Sequence, residues 1–385
     1  MNFVALKMLM GDRLKYMSLV AGLAFAALLV TQQASIFCGY ALRTGSWLRD
    51  TRCADLWVMN DQTEFVESGD AMLDTTLDRV RSVDGVLWAV PLYRGQVRGQ
   101  LPDGTEMQVR VVGIDDATLI GGPPRMVEGK LTDLRRDRAI FVNADQLGTD
   151  LRLKNAATPR ALAIGDTISI NDHDAVVAGT FRPEPDFFWF PMVYTTYSRA
   201  IEMAPQQRRM NTFVMVKVRP GAAGGIAGVA KRIERISGVK ALTGEQFEKL
   251  TMDYILNKTG ILINFGITIA LGFLVGVLVS GQTLYTFMLD NIRHFAAIKA
   301  MGAGNAMLVK MVALQTLVAG GIGYGVGVGA AAISGWAFAK GGLAFEMPWE
   351  VPVIGAGAIL VCCFAAAFFG LQRVLKVDPA IVFKG

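Results

Sequence analysis

Four blocks of mostly apolar residues decide most of what this chain can fold into: Met17–Tyr40, Thr259–Phe287, Met311–Phe338 and Val351–Leu371. A helix needs about 20 such residues to cross the hydrocarbon core. Inside lipid, every backbone N–H and C=O must find a partner within the segment, which a helix provides. The sequence therefore predicts an integral membrane protein with four transmembrane α-helices. The outer half of the first block carries Gln32, Gln33 and Ser35, the third is rich in glycine from Gly320 to Gly329, and the fourth has almost no polar residue. A cleaved signal peptide is the other reading of the first block. Against it, the segment through Tyr16 is longer than a typical n-region and has Phe3, Leu6 and Met10 at helical spacing. Ser35-Ile36-Phe37-Cys38 is a poor lipoprotein box, because Phe37 is bulky where a small residue is needed. The expectation is a retained span after a cytoplasmic amphipathic helix over residues 1–16.

Charged residues make up 18% of the 385 positions, against about 25% in soluble domains. The deficit sits in the four blocks, and Leu42 to Asp253 reads as ordinary soluble protein, long enough to bury its own core. The basic residues that give a net charge of +5 are mixed with acids in the soluble stretch, which argues against nucleic acid. Near the spans they are asymmetric. Lys7, Arg13 and Lys15 precede the first span, Arg293, Lys299 and Lys310 separate the second from the third, and Arg373, Lys376 and Lys384 follow the fourth. The third-to-fourth connection sets Lys340 against Glu346 and Glu350. By the positive-inside rule both termini, the 288–310 loop and the 372–385 tail are cytoplasmic, while 41–258 and the 339–350 loop are outside. The predicted location is the bacterial inner membrane.

The extracytoplasmic domain patterns as mixed α and β. Ala54 to Asn60 alternates as a strand, Asp70 to Val83 has helical spacing, and Gly85 to Arg98 reads as a strand. Asp103-Gly104 is a hairpin signal before strand-like Glu106 to Ile114. Later, Thr212 to Val218, Ala222 to Ile236 and Val239 to Leu242 repeat strand, helix, strand. Two such units fit a ferredoxin-like α+β fold, with a β-rich insert that includes Ala139–Val142, Thr167–Asn171 and Ala175–Phe181. The aromatic run Phe187, Phe188, Trp189, Phe190 is read first as a buried loop between subdomains and second as a contact for a periplasmic partner or lipid. Gly244 to Lys258 is helical and is expected to continue unbroken into the second span.

Motifs for chemistry are missing. Gly129-Lys130 lacks the rest of a phosphate loop, and Gly302-x-Gly304 lacks the rest of a dinucleotide fingerprint. His173 and His294 are far apart, and no Cys-x-x-Cys stands near either, so no metal site is expected. Cys38 and Cys53 flank the start of the outer domain, where a disulfide is one open alternative, whereas Cys362 and Cys363 are neighbours in an apolar run. The chain is thus predicted to have no catalytic, cofactor-binding or metal residues. Gln32, Gln33, Asn264, Gln282 and Gln315 are costly in lipid and should face protein, with hydrogen bonding between helices read ahead of substrate contact. No span carries an acid or base suited to a proton relay.

The more specific signals flank the spans. Ile292, Phe295, Ala296, Ile298 and Lys299 form a short amphipathic helix, and Gly302 and Gly304 let it stop and turn. Generic juxtamembrane segments on anionic lipid would look similar. Together, however, Ala297-Ile-Lys-Ala-Met-Gly-Ala303 and the tail Asp378-Pro-Ala-Ile-Val-Phe383 resemble the FtsX/MacB-type (type VII) ABC transporter permease family. The likeness covers essentially the whole chain, and Ala54-Asp-Leu-Trp-Val-Met with the Val-Phe tail looks closest to the DevC-like branch. One departure is the absence of a Glu where His294 or Phe295 stands.

The resemblance implies a homodimer with two separate ABC ATPase subunits, which would hold the ATP and Mg. It places Asp290, Arg293, His294, Ile298, Lys299, Ala300, Met301 and Gly302 in a coupling helix against the ATPase. It implies ATP-driven export by mechanotransmission, in which movement passes to the periplasmic domain, with an adaptor and an outer-membrane channel as further partners. Two other readings stay open: an FtsX-like regulatory complex that activates a periplasmic partner, and a sensor or scaffold without an ATPase.

Overall fold

A computed structural model describes residues 2–156, 158–187, 190–205, 210–339 and 342–375. It comprises two units, Met1–Ala41 with Gly260–Gly385, and Leu42–Thr259. The chain starts with α1 (Asn2–Gly11) and α2 (Arg13–Thr44). Asp12 separates them by capping α2: its Oδ1 accepts from the Lys15 amide at 3.3 Å. The packed face of α1 is Ala5 and Leu9, while Phe3 and Met10 are exposed. This corrects the face read from the spacing of Phe3, Leu6 and Met10. In a membrane-bound chain an apolar stripe can meet lipid, so hydrophobicity alone does not mark the buried side.

In the second unit α3 (Ser46–Asp50), β1 (Leu56–Asn60), α4 (Thr75–Arg81), β2 (Val86–Gln100) and β3 (Glu106–Ile114) come first. They are followed by β4 (Met126–Glu128), β5 (Ala139–Asn143), β6 (Arg152–Leu153), β7 (Arg160–Ala161), β8 (Thr167–Ile170), β9 (His173–Phe181), β10 (Met192–Thr196) and α5 (Tyr197–Met203). β11 (Phe213–Val218), α6 (Gly225–Ile233), β12 (Val239–Leu242) and α7 (Gly244–Lys258) complete it. Strands β12-β1-β11-β2 lie side by side and antiparallel, with α4 and α6 as the crossovers. This is the ferredoxin-like arrangement. Period-2 alternation sends Leu56 and Val58 to the face covered by Val80, Val229 and Ile233. Trp57 and Met59 go to the other face, with Trp47 and Phe247. Helix α4 is shorter than its sequence pattern, because Met72 leaves the helix to bridge Asn211.

The insert is a closed barrel. Strand β2 serves both halves: Val86 to Leu92 pairs β11, and Tyr93 to Gln100 pairs β3. From β3 the ladder runs through β10, β5, β9 and β8 and returns to β2, where Gly99 faces Ile170. Val97, Val109, Ile140, Val142, Ile168 and Val177 fill it. Closure removes edges that would otherwise invite pairing with another chain and leaves β4 and β12 as the end strands of the sheet.

Helix α7 starts with a capping box. Thr243 Oγ1 accepts from the Gln246 amide at 3.2 Å, and Gln246 Oε1 accepts from the Thr243 amide at 2.9 Å. Thr243→Ala is expected to cost about 1 kcal/mol, read as a lower thermal midpoint of the full chain in detergent. An unchanged midpoint would show that the cap carries no stability. The predicted unbroken helix into the second span is not formed. Helix α7 ends at Lys258, and Gly260 adopts φ +72° before the next helix begins at Ile261. The reason is local: glycine enters the left-handed region without a Cβ penalty and stops a helix there.

The chain then forms α8 (Ile261–Asp290), α9 (Ile292–Ala300), α10 (Asn305–Ala339) and α11 (Glu350–Leu375). Helices α2, α8, α10 and α11 are each long and apolar enough to cross a membrane. They pack through small residues, as helices in lipid do. A Cβ on Gly276 would lie 2.3 Å from Ala26 Cβ, and one on Gly327 would lie 2.4 Å from the Ala24 carbonyl oxygen. Gly320 makes room for Cys363, whose thiol donates to the Thr316 carbonyl at 3.6 Å. Helix α8 is the least covered: 11% of its most apolar stretch is buried, against 39–44% for the others. Its outer face needs lipid or another chain against it.

Candidate functional site

The turn between α8 and α10 is built by residues with opposed demands. Phe295 and Ala296 are fully buried and Ile298 nearly so, joined to a core with Leu19, Leu284, Leu308 and Met311. Arg293, His294, Ala300, Met301 and Gly302 are exposed, Met301 at 78%. Met301 thus adds an exposed apolar side chain beside the exposed Arg293 and His294. The helix stops in a Schellman turn: Gly302 has φ +95°, its amide donates to Lys299 O at 3.0 Å, and the Ala303 amide donates to Ile298 O at 3.2 Å. Gly304 O then accepts from Met307 N at 2.9 Å as α10 begins. The turn leaves Ala300 to Gly302 as an exposed, hydrogen-bonded corner.

Two residues grouped by the sequence with the coupling surface are engaged elsewhere. Ile298 is buried in the apolar core of the first unit and anchors α9 rather than presenting itself. Asp290 pairs with Lys15, which also holds Asp12 Oδ2 at 3.0 Å. Sequence reasoning missed Lys15 because its partner is 275 positions away. The only hint was a lone acid closing a long apolar helix.

The intramembrane polar residues divide. Gln315 is fully buried, and its Nε2 donates to the Ala5 carbonyl at 2.7 Å, tying α1 to α10 within one chain. Gln32 and Gln33 are half-buried. Asn264 and Gln282 lie on the exposed side of α8, where a bond between helices needs a second chain. Periodicity could not rank the faces of α8, because it is apolar all round.

A second cluster lies inside the outer domain. The Arg94 and Arg110 side chains are 1% and 0% exposed, and Glu67 and Asp186 are 8% and 13% exposed. Glu67 pairs with Arg94 and lies 3.2 Å from Arg110, while Asp186 pairs with Arg110 and lies 3.6 Å from Arg94. The Arg94 guanidinium sits 4.0 Å from the centre of the Trp47 ring, and Trp47 Nε1 donates to Tyr194 Oη at 3.2 Å. Burial would raise the Glu67 carboxyl, but the two guanidiniums outweigh it and hold the group below its ordinary value. Burial pushes the Tyr194 phenol up to about 12. The detectable signal was a charge inside an otherwise apolar strand, as in Val109-Arg110-Val111.

Asp186 Oδ1 also accepts from the Phe187 amide at 2.6 Å. Just before it, the Glu184 amide donates to Asp50 Oδ2 at 2.8 Å, and Glu184 lies 3.5 Å from Arg49. Phe187 and Phe190 are half-buried. Phe188, Trp189 and the tail Asp378–Phe383 lie outside the described residues. All four cysteines are free: Cys53 Sγ approaches Met215 Sδ at 4.0 Å, so the Cys38–Cys53 disulfide is not formed. Among the described residues no His, Cys, Asp and Glu group could hold a metal ion.

Comparison with known proteins bears on both units. Residues 266–379 match the FtsX-like permease C-terminal family, and residues 28–236 match the MacB-like periplasmic core domain. An uncharacterized ABC transporter permease of Mycobacterium tuberculosis, present in strains CDC 1551 / Oshkosh and ATCC 25618 / H37Rv, is 25% identical over 328 residues. The alignment covers 81% of this chain and 79% of that one. Among solved structures, the periplasmic region of MacB from Actinobacillus actinomycetemcomitans gives a TM-score of 0.38 at 11% identity, covering 55% of this chain and 97% of that one. The extracellular domain of the noncanonic ABC-type transporter YknZ from Gram-positive bacteria gives 0.35 at 13% identity, covering 49% and 99%.

Proposed function

This chain belongs to the FtsX/MacB-type family of ABC transporter permeases, and from that premise we propose that it is the membrane subunit of an ATP-driven exporter working by mechanotransmission. The observation that carries the reading is the corner at Ala300 to Gly302, exposed and held by the Gly302 turn on a helix whose other face is buried in the apolar core of the first unit. A permease of this type is not itself the ATPase, so the family implies a separate ATPase subunit, on which ATP and Mg would be held. The coupling surface is Arg293, His294, Ala300, Met301 and Gly302, with the first two supplying charge or polarity and Met301 the apolar anchor. The sparse covering of α8 supports a homodimer through that helix, with Asn264 and Gln282 bonding across it. Cytoplasmic termini in the bacterial inner membrane follow from the basic residues at the span ends. A periplasmic adaptor and an outer-membrane channel complete the export reading, in which the outer domain moves and cargo need not pass between the spans.

The test is purification of the tagged chain in mild detergent from cells expressing its neighbouring genes, with ATPase activity and subunit identity as readouts. The wild-type chain should bring a phosphate-loop subunit in equal amount. Met301→Glu should reduce its recovery about tenfold or more, as losing a central apolar anchor costs about 2 kcal/mol or more. A clean homo-oligomer with no ATPase would overturn the exporter and favour the sensor or scaffold. Retention of the ATPase by Met301→Glu would move the coupling surface elsewhere.

A further inference from the structure

We propose that Lys15 is a positioning residue for the ATP-driven stroke: it clamps the junction of α8 and α9 to the start of α2. The proposal rests on the reading of α9 as the ATPase-docking helix. Lys15 Nζ lies 3.0 Å from Asp12 Oδ2 and is paired with the Asp290 carboxylate. Asp12 caps α2, and Asp290 is the last residue of α8, next to the Asn291 that precedes α9. One ammonium therefore joins both ends of the relay.

The need for such a joint follows from connectivity. A push on α9 reaches α8 through Asn291 and α10 through the Gly302–Gly304 turn, both by peptide bonds. It has no such route to α2, because the chain between α2 and α8 is the whole outer domain. Small residues bring α2 and α8 close together, with Gly22 against Val279 and Ser280 Oγ, Gly276 against Ala26, and Gly272 against Leu29. Dispersion contacts of this kind are individually weak and carry no donor–acceptor geometry. A charge-assisted pair has a preferred geometry and fixes the register of α2 against α8. Asn291 stiffens the same junction, since its Nδ2 donates to the Phe287 carbonyl at 2.9 Å. Lys15 and Asp290 are 26% and 52% exposed, so the pair adds little to fold stability. Variants that cut it should fold and insert.

The experiment uses the full chain with its co-purified ATPase in lipid nanodiscs. Hydrogen-exchange mass spectrometry with and without a non-hydrolysable ATP analogue reads the peptides over residues 36–50, at the far end of α2. In the wild type, nucleotide should change their protection. Lys15→Gln should keep the ATPase bound and hydrolysis within about twofold, while the nucleotide-dependent change at 36–50 falls by about threefold or more. Lys15→Arg should preserve the change, and the exchanged pair Lys15→Asp with Asp290→Lys should restore most of it. A full nucleotide response in Lys15→Gln would overturn the clamp alone, as would failure of both Lys15→Arg and the exchanged pair. A wild-type complex with bound ATPase but no response at 36–50 would overturn transmission through α2. A wild-type chain with no ATPase would overturn the permease mechanism on which the clamp depends.

Discussion

Glu67→Gln is expected to destabilise the outer domain by about 3–5 kcal/mol, as removing one member of a buried ion cluster leaves the opposing charge uncompensated. Glu67 lies against two guanidiniums that have almost no access to water. Without its charge, Asp186 alone faces both, and Arg94 already leaves Nε and Nη1 without a hydrogen-bond partner among the described residues. At about 2–4 °C per kcal/mol for a domain of this size, the midpoint should fall by roughly 6–20 °C. Trp47 and Trp57 fluorescence reports it directly, because Trp47 packs on Arg94. A shift below about 2 °C would show that the cluster is hydrated rather than buried. The pH dependence has a definite sign. The folded Glu67 carboxyl lies below its ordinary 4.5, so its contribution is complete above that pH. It is lost as the pH falls from there through the folded value. Glu67→Gln should flatten that part of the acid limb. If the variant keeps the wild-type acid profile, some other carboxylate governs it.

Gly327→Val should be the most damaging single change in the membrane unit. A Cβ there would stand 2.4 Å from Ala24 O, 2.6 Å from Ala27 Cβ and 2.9 Å from Leu28 N. Two of these three are backbone atoms, which cannot swing aside as a side chain can. Helices α2 and α10 must therefore separate. Overpacking costs about 1–3 kcal/mol and occasionally more, and backbone contact puts this site at the upper end. Gly325→Val is the matched control on the same helix, because nothing lies within 4 Å of a Cβ there. It should stay within about 0.5 kcal/mol of the wild type. Thermal midpoints of the two variants in the same detergent make the comparison. Equal midpoints would mean that α10 does not approach α2 through Gly327.

Most of the architecture was legible because it depends on local periodicity. Apolar blocks long enough for a bilayer gave the four helices, and alternation in Ala54–Asn60 and Thr212–Val218 gave strands of the ferredoxin-like half. Gly302 marked the turn after α9, where it takes φ +95°, since only a residue without a Cβ enters that region freely. The same rule applies at Gly260, where apolar residues continuing on its far side mask the break in the sequence.

What the sequence could determine by itself was therefore the set of elements: four spans, an α+β domain, and an amphipathic helix whose pattern assigned Phe295, Ala296 and Ile298 to one face. Those properties repeat within a few residues. Tertiary structure decided which faces meet. It closed the insert into a barrel through the pairing of Gly99 with Ile170, and it gathered Glu67, Arg94, Arg110 and Asp186 from four separate segments. It divided the α10 glycines between packed Gly323 and Gly327 and open Gly321 and Gly325, and it set Lys15 on Asp290. These choices rest on contacts between residues far apart in the chain. Helix and strand periods carry no information about a partner on another element, so one sequence read along its length cannot specify them.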